Sequence, residues 1–182
     1  MDGAPPSTAA QGVLSGIAHP VIGPDHLLFL VVAGLLMAST RLPRRLLTTA
    51  LFVGMSALGS ALHLYGFSLP WSDGLTAATV TIAGLLLAAS AGSSSSIPPF
   101  FAAAGLLHGY AYGESVIGSE PTPLTAYLCG FALTESAIIL LAATAARHFT
   151  SSDHKDKVKP SPALVKTGIG SALAGVLMMF AA

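Results

Sequence analysis

Apolar runs of bilayer length, joined by short polar stretches, leave this chain few ways to fold. A membrane-crossing helix needs roughly 20 predominantly apolar residues at 1.5 Å of rise each. Six segments approach that length: Val13–Ser39, Leu46–Phe67, Leu75–Ala91, Ile97–Gly113, Thr122–Ala146 and Leu164–Ala181. The third is rich in Ala and Thr, yet Val80 to Ala89 is apolar enough to count. Only 9% of the residues are charged, where a soluble domain carries roughly 25%, and the mean hydropathy is +0.73. These features predict an all-α polytopic membrane bundle of six transmembrane helices, one domain over residues 1–182. The stretch 151–162 is expected to be a mobile cytoplasmic loop. Met1 to Gln11 has no basic n-region, so no signal peptide is expected in the chain as it stands.

The few charges fix an orientation. Basic residues in short loops mark the cytoplasmic side. Arg41, Arg44 and Arg45 lie between segments one and two, and Arg147, Lys155, Lys157 and Lys159 between five and six. With six spans both groups fall on one side. The opposite loops hold Asp73, Glu114 and Glu120 without Lys or Arg. Both termini are therefore expected outside the cytoplasm, in a bacterial inner or internal membrane. Small residues at four-residue spacing let membrane helices approach closely. Ser56 and Ser60 supply that spacing in segment two, and Gly168, Ser171, Ala172 and Gly175 in segment six.

The first segment is interrupted by His19-Pro20-Val21-Ile22-Gly23-Pro24-Asp25-His26. Proline removes a backbone donor and Gly23 permits unusual dihedrals, so a break near Pro20–Pro24 is expected. Ionisable groups inside a membrane are costly and rarely lack a task. In the oriented bundle His19, Asp25, His26, His63 and His108 all fall in the outer half, while His148 and His154 fall on the cytoplasmic side. Imidazoles beside a carboxylate suit Ni, Co, Zn, Fe or Cu. His19, Asp25, His26 and His108 are thus expected to form one outer cluster. His63 reads as a hydrogen-bonding group between helices, Tyr110 and Tyr112 as interfacial aromatics and Cys129 as core. Glu135, near mid-membrane beside Thr134, reads equally as a relay group or as a partner for a neighbouring helix.

These residues resemble the signature of the HupE/UreJ family of small bacterial membrane proteins, H-P-x-x-G-x-D-H followed by an apolar run, here His19 to Leu30. Leu107-His108-Gly109-Tyr110-Ala111-Tyr112-Gly113-Glu114 is similar to the family's H-G-x-A-H-G-x-E element, and Tyr127 to Phe131 to its Y-x-x-G-F stretch. Tyr112 stands where a second histidine is expected, and Glu114 arrives one position early. The resemblance implies nickel or cobalt permeation, with His19, Asp25 and His26 handling metal and His108 and Glu114 beside them.

Three functions compete. The leading expectation is a permease for a divalent transition metal (Ni, Co or Zn), without an ATP engine because no Walker motif is present. The second is a non-transporting accessory subunit of a larger membrane complex. The third is an intramembrane zinc hydrolase, for which no spacing singles out a nucleophile or base. The expected partners are membrane lipid and the metal ion. No basic patch with interleaved aromatics suggests nucleic acid, and no enzyme activity is expected.

Overall fold

The computed structural model describes residues 5–150 and 161–182. Among them the chain is all helical: α1 (Ala9–Ile22), α2 (Pro24–Met37), α3 (Leu42–Leu64), α4 (Ser72–Ala88), α5 (Ile97–Glu114), α6 (Pro121–Thr150) and α7 (Pro162–Ala181), with one 3₁₀ turn at Ala91–Ser93. Proline stands in the first turn of α2, α3, α5 and α7, where its missing N–H would have had no partner anyway. Thr8 caps α1 by accepting the Gln11 N–H at 3.2 Å.

The expected break is present, and it is sharp. The axes of α1 and α2 differ by 76° across Gly23. Gly23 nevertheless has ordinary extended dihedrals (φ −71°, ψ 112°), and its N–H still bonds the His19 carbonyl at 3.1 Å. Space, not conformational freedom, is what glycine supplies there. A Cβ at Gly23 would lie 2.7 Å from His26 Cδ2.

The helices associate in close groups whose directions can be read from their contacts. Along α3 and α5, Phe52 meets Gly105, Ser56 meets Gly109 and Ser60 meets Gly113, so these helices run parallel. Gly12 meets Pro123 and Gly16 meets Tyr127, so α1 and α6 are parallel too; further along, Gly34 of α2 meets Ile139 and Ala142 of α6. By contrast α4 and α7 are antiparallel, with Gly84 at Gly168 and Thr81 at Gly175. Alternating passage of six rods requires this set of directions. The small residues picked out in sequence, Ser56, Ser60, Gly168, Ser171, Ala172 and Gly175, are all buried in these seams.

Three helices are long and apolar enough to cross a bilayer alone: α3, α6 over Pro121–Arg147, and α7. The bent pair α1–α2 adds a fourth span if counted as one. Helix α4 is apolar but only 17 residues long, and α5 dilutes its 18 with His108, Tyr110, Tyr112 and Glu114. Length and apolarity therefore mark four of the six expected spans.

One end of the bundle gathers basic residues. Arg44 donates to the Ser94 carbonyl, Arg45 donates to Thr40 O at 3.0 Å, and Arg147 is near enough to repel Arg45. At the other end the Tyr110 hydroxyl donates to Phe67 O at 2.7 Å and accepts the Leu69 N–H at 2.8 Å, tying the α3–α4 loop to α5. The bundle between them is filled by Phe29, Leu30, Val32, Phe52, Val80, Phe101, Ala104 and Ile139, all fully buried. Cys129 departs from expectation, being exposed. Tyr127 and Phe131 of α6 face inward, which turns residue 129 outward. His154 and positions 151–160 of the expected loop lie outside the described residues, and Pro162 already belongs to α7.

Candidate metal site at the broken helix

The break turns two helix ends toward one space. His19 sits in the last turn of α1, while Asp25 and His26 open α2. The free amide hydrogens of a helix N-terminus favour a carboxylate in that first turn. Asp73 enters from the first turn of α4 and Glu114 from the last turn of α5. Together with Met178 these side chains line a cavity of about 520 Å³. Three carboxylates and two imidazoles share it, and no Lys or Arg is among its described lining residues.

Behind this wall the histidines are organised by hydrogen bonds. His26 Nδ1 lies 2.7 Å from His108 Nδ1, and His108 Nε2 lies 2.9 Å from Thr79 Oγ1. His108 is fully buried, with its ring centroid 4.5 Å from that of Phe29. It therefore stands behind His26, not on the cavity wall. His19 Nδ1 is 3.1 Å from the Tyr127 hydroxyl, which also donates to Tyr112 O at 3.2 Å. The rings of His19 and His26 are 5.7 Å apart. Among the described residues no three His, Cys, Asp or Glu side chains converge on one point as a ready ligand set. His19, Asp25, His26 and Glu114 surround the cavity, and His108 reaches it through His26.

Other polar residues have distinct settings. Tyr112 is not interfacial: it is fully buried, 4.3 Å from the His26 ring and 4.8 Å from that of His19. Tyr110 is buried as well and serves the loop clasp described above. His63 stacks edge-on against Tyr110 at 4.4 Å, between α3 and α5. Glu135 is fully buried and accepts the Ser56 hydroxyl at 2.9 Å, which matches its pairing alternative; its second oxygen has no partner among the described residues. Thr79 and Tyr127 were not singled out from the sequence. Thr79 is one of several hydroxyls on α4, with nothing in the sequence to set it apart, and the only trace of Tyr127 is its place in the Y-x-x-G-F stretch.

The family described as HupE / UreJ protein matches residues 3–178. The chain belongs to the HupE/UreJ family. That family consists of helical membrane proteins associated with nickel or cobalt uptake or with accessory roles, and it is not a known enzyme class. Protein HupE of Rhizobium leguminosarum bv. viciae is 30% identical over 123 residues, 67% of this chain. The match spans 63% of that relative's length. No solved structure matches.

Proposed function

We propose that this HupE/UreJ chain is a permease for a divalent transition metal of the nickel or cobalt kind, set in a bacterial inner or internal membrane with both termini outside the cytoplasm. The observation that carries the reading is the cavity at the broken helix, which joins His19, Asp25, His26 and Glu114 with Asp73 at its rim. Nitrogen donors beside carboxylates suit Ni, Co and Zn, whereas oxygen-only sites suit Mg, Ca and Mn. The carboxylates draw the hydrated cation in. His19, Asp25, His26 and Glu114 then exchange with its water, and His108 supports His26 from behind. Onward movement requires displacement of Phe29, Phe52 and Phe101, which fill the bundle beyond His108.

Uptake of Ni²⁺ into proteoliposomes tests the reading. Saturable uptake is expected in the wild type, with a loss to the protein-free background in His26→Ala. Wild-type vesicles no more permeable than protein-free ones would overturn it. The accessory reading, which the replacement of a family histidine by Tyr112 favours, would then stand, with copurification of a larger membrane complex as its own test.

A further inference from the structure

The hydrogen bonds behind the cavity leave little freedom in where the protons sit. Thr79 Oγ1 is 2.7 Å from the Thr76 carbonyl oxygen. A carbonyl has no proton to give, so the single hydroxyl proton of Thr79 lies between those two oxygens. The 2.9 Å contact from Thr79 Oγ1 to His108 Nε2 then needs its proton from the imidazole. His108 is fully buried, and Phe29 and Phe52 pack around its ring. A second proton would place an unpaired charge among those rings, so the ring is neutral and its Nδ1 is bare. His26 Nδ1, 2.7 Å away, must therefore carry the proton of their shared bond.

His26 is buried as well, and in a neutral ring protonated at Nδ1 what remains is Nε2, with its lone pair free. That nitrogen takes no hydrogen bond among the described residues. Cδ2, the ring carbon bonded to Nε2, is turned toward Gly23, and His26 and Gly23 both line the cavity. A neutral imidazole ligates a metal through its bare nitrogen, and the partner of its other N–H fixes which nitrogen that is.

We infer that Thr79 is a positioning residue for the metal site: through His108 it holds His26 in the Nδ1–H tautomer, presents Nε2 to the cavity, and leaves His108 supporting the metal without touching it. The inference rests on the proposed metal site and names the chain of bonds that would set it. It divides the histidines into two kinds. His26 binds, and His108 transmits a proton position from a threonine on a different helix.

The test uses the full chain in detergent or nanodiscs with ¹⁵N-labelled histidine, and Ni²⁺ as the probe. Without metal, long-range ¹⁵N–¹H spectra should show His26 protonated at Nδ1 and His108 at Nε2. Spectra with His26 protonated at Nε2, or His108 at Nδ1, overturn the inference, and this holds even if no variant folds. Thr79→Val should disturb the His108 signals and weaken Ni²⁺ binding roughly 10- to 100-fold, while Thr79→Ser keeps the hydroxyl and stays within about threefold of wild type. Equal Ni²⁺ affinity and unchanged spectra in a folded Thr79→Val protein would also overturn it. X-ray absorption of the Ni²⁺ complex should lose one imidazole on His26→Ala and keep its count on Thr79→Val. Failure of the permease reading looks different: tautomers and binding as stated, with no vesicle uptake.

Discussion

The two ends of the bundle are built on opposite principles. At the end holding the break, Asp25, Asp73 and Glu114 border an open cavity with His19 and His26. At the other end Arg44 and Arg45 pin turns to one another with Arg147 close by. Aromatic packing lies between, with the Phe29 and Phe52 rings stacked 5.3 Å apart. On the permease reading proposed above, one end would admit a cation with no described Lys or Arg against it, while the guanidinium groups at the other would repel cations and mark the closed end. A pathway open at one end and sealed at the other is what that reading would require of a resting state. The contrast also explains why so much polarity is tolerated in one half of a membrane protein: it borders a water-accessible cavity, not lipid.

The comparison breaks most completely if the ends lie on the same side of the membrane. In a Cys129→Ser background, Ser68→Cys and Ser95→Cys should label from opposite faces with a membrane-impermeant maleimide, an all-or-none difference. Labelling of both from one face would end the six-rod topology. The sealing of the closed end is tested next by Phe52→Ala. Removing a fully buried ring from a packed core costs on the order of 3–5 kcal/mol, so thermal unfolding in detergent should shift clearly downward. The same variant should raise Ni²⁺ leak through reconstituted vesicles, and an unchanged leak with lost stability would make the phenylalanines packing only. The open end gives the smallest effect. Asp73→Asn with Glu114→Gln should lower uptake at limiting Ni²⁺ by about tenfold, within the range by which charge-lined clefts raise encounter rates. The remaining uptake should depend less on ionic strength than that of the wild type.

The features legible in the sequence are those a residue carries by itself. Gly23 and Pro24 announce the break because proline has no N–H to continue the ladder, whereas Pro20 is carried inside α1. Arg44, Arg45 and Arg147 announce a common end because their charge cannot enter hydrocarbon. His19, Asp25 and His26 announce a site because they lie next to the break. What the sequence conceals is rotation and partnership. Tyr112 reads as interfacial near the end of a segment, yet the helix turns it against His26; Cys129 reads as core, yet its neighbours Tyr127 and Phe131 claim the inner face. Helix α5 is apolar nearly all round, so no periodic stripe marks which side faces the bundle. Thr79 is one hydroxyl among many, and its role depends on an imidazole 29 residues away in sequence. Glu135 shows its partner Ser56 only when α3 and α6 are side by side.

The seams filled by glycine have a mechanical consequence. Within α3–α5, α1–α6 and α4–α7 backbones touch backbones, so a slide of one helix along its mate collides main chain with main chain. The couples meet through side chains instead: the apolar core of Phe29, Phe52, Val80, Phe101 and Ile139 lies between them, the His26–His108 bond joins α2 to α5, and the Ser56–Glu135 bond joins α3 to α6. Side chains can repack across such a joint, whereas interlocked backbones cannot, and each buried bond restrains the joint because it is costly to leave unmade. The molecule therefore has stiff members and soft joints. The cavity takes walls from α1, α2, α4, α5 and α7, so it lies where the soft joints meet. Any tilt of one couple against another changes the distance between its imidazoles and carboxylates first, and a cation held between them would feel that tilt as a tightening or loosening of its own coordination.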